Sequence, residues 1–244
     1  MNIQIFPDKL SMARASAAHV AEALRRAITE RGAACIVLPA GASQFELMDE
    51  LVRADVDWSR VTAFHLDEYI GLPASHPASF RRYVKERFVD RVGGLRQMHY
   101  VNGEAPDPAQ ECRRLGALIA KETVDVACIG IGENGHLAFN DPPADFDTEE
   151  PFLVVTLNET CRRQQVGEGW FPTLADVPPR AITMSIRQIL KAHRLVGTVP
   201  DARKARAVRD AVRGPLTNQC PASILRQHND CALFLERPAA ALLD

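Results

Sequence analysis

Short apolar runs alternating with stretches of helical period constrain this chain more than any other feature. Residues 34–38 (ACIVL), 61–66, 124–131, 195–199 and 231–235 are apolar runs of strand length. Between them, residues 12–31 place Val20, Leu24, Ala27 and Ile28 on one helical face. Residues 44–53, 79–88, 108–121 and 202–213 carry the same period, with Pro77 and Pro108 where helices can begin. A strand buried on both faces reads as a continuous apolar run, and strands alternating with helices make βαβ units. The pattern therefore predicts an α/β fold: a mostly parallel sheet with helices on both faces. No repeat or low-complexity linker divides the chain, so residues 1–244 are expected to form a single domain.

Composition narrows the function classes. A chain of 244 residues with 46% hydrophobic residues buries a sizeable core without metals or disulfides, which excludes disorder as its main state. Its net charge of −2 and lack of a basic block argue against a nucleic-acid partner. No run of 18 apolar residues argues for a membrane span. The six cysteines are scattered without a CxxC pair, and the start MNIQIFPDKL lacks the features of a secretion signal. A cytoplasmic protein with reduced thiols is the expectation.

In sheets of this kind a ligand sits beyond the carboxyl ends of the strands, near a switch in strand order. The residues just after each apolar run are therefore the place to look. After Leu38 come Pro39, Ala40, Gly41, Ala42 and Ser43, then a helical stretch. Small residues let backbone N–H groups approach an anion such as phosphate, with the Ser43 hydroxyl as a further donor. The plain alternative is a tight turn with Ser43 as helix cap. After Leu66 come Asp67 and Glu68, two adjacent carboxylates that are costly beside a buried strand unless paired or used. One could serve as a general base; both could instead be capping or ion-pairing groups.

After residue 129 the chain reads GIGENGH, ending at His136, then LAFNDPP. The glycines superficially resemble a dinucleotide fingerprint, but Asn140, Asp141, Pro142 and Pro143 break any long helix there. His136 is suited to proton transfer near neutral pH, with Asn134 and Asp141 close enough in sequence to hold one ring nitrogen. After Val199, Lys204 lies near a helix start, where a cation is unfavourable unless an anion joins it. Arg206 and Arg209 fit an ordinary solvated face. His65, Asp67, Glu68, His76 and His136 show no metal-ligand spacing, so no metal is expected.

Taken together, FHLDEYIGLPASHPASF (64–80) and GIGENGHLAFNDP (130–142) resemble the two signature stretches of the glucosamine-6-phosphate deaminases, also called isomerases. LPAGAS (38–43) is similar to that family's phosphate loop, and ASILRQH (222–228) to a late family segment. The resemblance implies a Rossmann-like α/β fold and conversion of glucosamine 6-phosphate and water to fructose 6-phosphate and ammonia, without cofactor or metal. It implies Asp67 as the base moving a proton between C2 and C1, and His136 as the ring-opening group, held by Asp141 and Asn134. It implies Gly41, Ala42, Ser43 and Lys204 as ligands of the 6-phosphate. The family's phosphate-binding arginine falls near residues 161–165, and Arg163 is assigned to it. Asn134 stands where some members carry aspartate, and Asp141 where many carry glutamate. The tail of allosteric hexameric members is lacking, so a monomer or simple homo-oligomer without amino-sugar control is expected.

Three other readings are compatible with these residues. A 6-phosphogluconolactonase shares the GxGxxGH loop, but there TASLFP typically comes after the histidine, against LAFNDP here. Another hexosamine phosphate, such as galactosamine 6-phosphate, is possible because no motif reads the C4 hydroxyl. A non-catalytic sugar-phosphate sensor would need neither Asp67 nor His136.

Overall fold

In the computed structural model, which describes residues 1–243, the elements run in chain order: β1 (Asn2–Phe6), α1 (Lys9–Arg31), β2 (Ala34–Leu38), α2 (Phe45–Leu51), β3 (Val61–His65), β4 (Asp67–Tyr69), α3 (Phe80–Val84), β5 (Gln97–His99), α4 (Pro108–Ile119) and β6 (Val126–Ile129). The second half adds β7 (Phe152–Thr156), α5 (Glu159–Gly167), β8 (Arg180–Met184), α6 (Ile186–Leu190), β9 (Arg194–Val199), α7 (Ala205–Arg213) and β10 (Cys231–Glu236). Seven strands form one parallel sheet in the order β1-β10-β9-β6-β2-β3-β5. From β2 the chain winds outward through β3 to β5; from β6 it winds the other way through β9 to β10. The switch in strand order thus lies between β2 and β6.

The double covering is a consequence of the apolar runs. Every residue of β2 is buried: Cys35 and Val37 pack into one core, Ala34, Ile36 and Leu38 into the other. The first core takes Leu115 and Ile119 of α4, Ile186 and Ile189 of α6 and Val208 of α7. The second takes Val20 and Leu24 of α1 with Leu47, Met48 and Leu51 of α2. Each such side chain is worth about 1.5–3 kcal/mol when fully buried. Asp8 caps α1 by accepting from the Ser11 N–H at 2.8 Å, and Gly32 ends it in the left-handed conformation at φ 80°.

Several expectations shift in detail. Pro108 does open α4, beside the Asp107 cap. Pro77 does not open α3; Ser79 caps that helix, which then widens over Lys85–Val89. The run at 124–131 yields only Val126–Ile129 as strand, because the glycines after it leave the sheet. The amino-terminal strand β1 carries no clear sequence signal: it is an edge strand, half exposed, with polar Asn2 and Gln4 interrupting its apolar pattern. A second sheet, β4-β8-β7, is antiparallel. Leu66 joins the two sheets: its N–H donates to the Leu38 carbonyl, and its carbonyl accepts from Met184. The six cysteines are free, and no described helix is long and apolar enough to cross a membrane.

Candidate active site

A cleft opens at the switch point, lined by the segments after β2, β3, β6 and β9. Among its walls are Gly41, Ser43, Asp67, His136 and Lys204. Four loops far apart in sequence thus converge on one cavity because four parallel strands end side by side.

His136 is oriented from one side only. Its Nδ1 lies 2.7 Å from Asn134 Oδ1 and 3.3 Å from Asp141 Oδ1. Both are acceptors, so the proton sits on Nδ1 and the Nε2 lone pair is left free. Asn134 Nδ2 in turn donates to Asp141 Oδ1 at 3.0 Å, and Asp141 Oδ2 accepts from the Asn158 N–H at 3.0 Å. Burial pushes the Asp141 carboxyl up, but hydrogen bonds from His136, Asn134 and the Asn158 N–H outweigh it and hold the group below its ordinary value. Gly132 supports the ring from beneath: a β-carbon there would come within 2.2 Å of the imidazole.

Asp67 and Glu68 separate into different tasks. The Glu68 side chain, fully buried, accepts from the N–H groups of Tyr69, Phe80 and Arg81 and from Ser79 Oγ at 2.7–3.1 Å. It ties the start of α3 to β4 and has no capacity left for chemistry; burial still raises its carboxyl above the ordinary value. Asp67 turns the other way, into the cleft. Burial, then the charge of Glu68, pushes its carboxyl well above the usual carboxylate range, which makes it a stronger base once ionised. The alternation of side chains along β4 produces this division of labour.

Another wall of the cleft is built for an anion. Gly41 has φ 103°, a conformation an L-residue rarely adopts, and it leads into the helical turn Ala42–Gln44. The first N–H groups of such a turn have no intrahelical partner. Ser43 is not the cap that the sequence allowed; its Oγ accepts from Gln44 Nε2 at 3.0 Å, leaving its O–H free to donate. The Lys204 ammonium is buried here, and burial lowers its pKa while Glu168 and Glu133 oppose that.

Arg163 is not brought to the cleft. Its guanidinium lies on the exposed face of α5, paired with Glu159 one turn away at 2.5 Å. The residues of that segment which line the cleft are Gln164, Gln165 and Glu168. The helical period explains the correction: a side chain one position earlier points outward. Gln164 Nε2 donates to Glu168 Oε1 at 2.8 Å, and the Tyr69 hydroxyl donates to Gln165 Oε1 at 2.9 Å. Neither contact is marked in the sequence, because no local pattern shows which polar residues of α5 face inward. Arg163→Ala is accordingly expected to change kcat/KM by less than about twofold, as for an exposed ion pair; steady-state kinetics on the purified variant checks this.

The other histidines weighed as metal ligands are engaged elsewhere. His65 Nε2 accepts from the Val101 N–H at 2.8 Å, and burial pulls its pKa down to about 3. His76 Nδ1 accepts from the Ala78 N–H at 3.0 Å. Ligand atoms of His136, Asp141 and Cys161 do lie within 4.8 Å of one another. They fit a metal poorly: burial and the Asp141 charge hold the Cys161 thiol protonated, and the Asp141 oxygens are taken.

Known proteins share both this sequence pattern and this architecture. Residues 7–234 match the model of a family described as glucosamine-6-phosphate isomerases/6-phosphogluconolactonase. A glucosamine-6-phosphate deaminase of Exiguobacterium sibiricum is 38% identical over 85% of this chain and 81% of its own length. One from Listeria monocytogenes is 33% identical over 91% of this chain and 93% of its own. The solved structure of a monomeric glucosamine-6-phosphate deaminase superposes with a TM-score of 0.90 at 30% identity, covering 99% of this chain and all of that one. A 6-phosphogluconolactonase from Thermotoga maritima, at 16% identity and TM-score 0.79, shares the fold. The chain, by sequence and by architecture, belongs to the glucosamine-6-phosphate isomerase/6-phosphogluconolactonase family.

Proposed function

We propose that this enzyme converts glucosamine 6-phosphate and water to fructose 6-phosphate and ammonia, as the relatives named above are named for doing. The observation that carries the reading is the meeting, in one cleft, of a buried carboxylate (Asp67), an imidazole whose Nε2 is free (His136) and a buried ammonium (Lys204). A hexosamine 6-phosphate needs all three. His136 Nε2 takes the O1 proton and returns one to O5, opening the pyranose ring. With C1 now a carbonyl, the C2 proton is acidic enough for Asp67 to remove, and Asp67 returns it to C1. Water then adds to the C2 imine and ammonia leaves, giving the ketone. Asn134 and Asp141 fix the Nδ1–H tautomer through both steps. The steps are ring opening, proton transfers, addition of water and loss of ammonia, none of which needs an external oxidant or reductant, so the chemistry asks for no redox cofactor.

The 6-phosphate is assigned to the backbone of Gly41 and Ala42, the Ser43 hydroxyl and Lys204. Binding energy gathered there holds the reacting carbons in place. The enzyme is read as a single domain over residues 1–244, acting in cytoplasmic amino-sugar catabolism as a monomer or simple homo-oligomer. The test is release of ammonia and ketose from glucosamine 6-phosphate, run beside galactosamine 6-phosphate and 6-phosphogluconolactone. Turnover of the glucosamine ester alone supports the reading; lactone hydrolysis without ammonia overturns it. In the same assay Lys204→Ala is expected to raise KM at least ~10-fold while kcat changes by only a few-fold, as removal of uniform binding does. An unchanged KM removes Lys204 from the phosphate site.

A further inference from the structure

The anion end of the cleft already contains an anion. Glu168, directly after α5, places Oε1 4.0 Å from Lys204 Nζ, and its side chain is only 7% exposed. It is held there by Gln164 Nε2 at 2.8 Å on Oε1 and by Trp170 Nε1 at 3.3 Å on Oε2. Among the described residues lining the cleft, Lys204 is the one lysine or arginine. A dianionic phosphate entering beside this pair would leave two net negative charges buried around one ammonium. Like charges that close in a partly desolvated site cannot all remain ionised.

The surroundings do not supply the missing positive charge. Arg203, which faces the pair from the segment after β9, is committed to Asp201 at 2.9 Å and to Glu133 at 3.4 Å. From the loop after β6 come Glu133 and His136, the imidazole of the latter engaged by Asn134 and Asp141, and from β4 come Asp67 and Tyr69. Cys161, on α5 itself, is held as the neutral thiol by burial. The cheapest proton available is that of the ligand, since the second ionisation of a phosphate monoester lies near pH 6.

We propose that Glu168 makes this site take its phosphosugar together with one proton, shared between a phosphate oxygen and the Glu168 carboxylate. Glu168 is then a specificity residue: it sets the ionisation state of the phosphate that binds, favouring the monoanion. This rests on the reading of the cleft as a phosphosugar site. The buffer acid gives up one proton, its bond to that proton breaks and an O–H bond forms within a P–O···H···O–C contact; no other bond changes.

Fructose 6-phosphate is the probe, because it lacks an amine and its phosphate is its one group titrating near neutrality. Calorimetric titration at pH 7.5 in buffers of different ionisation enthalpy counts the protons bound. The intact enzyme is expected to take up close to one proton per ligand, and its Kd to rise roughly fiftyfold from pH 6 to pH 8, following the monoanion fraction. Glu168→Gln is expected to take up few protons and, at pH 8, to bind at least ~10-fold more tightly than the parent. Binding by the parent without proton uptake overturns the proposal and leaves the functional reading standing. Undiminished or greater uptake by Glu168→Gln also overturns it, since the proton would then be going to Lys204. No binding of fructose 6-phosphate to either protein overturns the proposal together with the phosphosugar reading.

Discussion

Asp67→Asn is expected to lower kcat by ~10³-fold or more, the effect of deleting a positioned base, while fructose 6-phosphate still binds within a few-fold of the parent. Asparagine keeps the shape and loses only the basic oxygen. The same substitution should raise Tm at pH 7. Because burial raises the Asp67 carboxyl in the folded state above its unfolded value, its ionisation works against folding. The stability this group contributes is fully present below the unfolded carboxylate range and is lost as pH rises through the folded value, so at neutral pH the parent carries a penalty that the amide does not. Lower activity with higher stability is the signature of a functional carboxylate; a less stable Asp67→Asn would mean that Asp67 holds the fold instead. Thermal unfolding and steady-state kinetics on one preparation settle both halves.

Gly132→Ala is the second substitution with a large expected effect. The added β-carbon would fall 2.2–2.4 Å from three atoms of the His136 ring, so the ring must move. Moving it breaks the contacts of Nδ1 with Asn134 and Asp141 and re-aims Nε2. Misplacement of a catalytic group by about 1 Å typically costs ~10²-fold, and kcat should fall by at least that much. KM should change less than kcat, because no hydrogen bond or ion pair of Ser43 or Lys204 runs to the imidazole. A fully active Gly132→Ala would show that the imidazole need not occupy this position. The ring-opening step isolates the cause: a substrate supplied in open-chain form should recover part of the loss.

Both variants bear on residues that are legible in the sequence, and the reason is topological. Parallel strands of a sheet end on the same side, so the segments just after the apolar runs are enough to collect Asp67, His136, Lys204 and the Gly41–Ser43 loop. The strand at residues 34–38 is legible to the residue, since burial on both faces leaves no polar position inside it. Where a segment reaches the site by another route, the signal disappears. Helix α5 arrives from outside the main sheet, and its polar sequence gives no apolar stripe by which to tell the inner face from the outer. Nothing in the sequence therefore singles out Gln164, Gln165 and Glu168 over Arg163. The Asp67–Glu68 pair shows the same limit on a smaller scale. Two adjacent carboxylates are visible, but that Glu68 is spent on the start of α3 while Asp67 faces the cleft depends on the register of β4 against β8.

In the proposed reaction the carbon bearing the amine becomes the carbonyl carbon. Glucosamine 6-phosphate labelled with ¹³C at C2 and ¹⁵N on the amine tracks this directly by NMR as the enzyme acts. The labelled carbon is expected to lose its nitrogen coupling and to appear as C2 of fructose 6-phosphate, with ¹⁵N-ammonium growing at the same rate. A labelled carbon that keeps its nitrogen while the substrate is consumed would contradict that reaction.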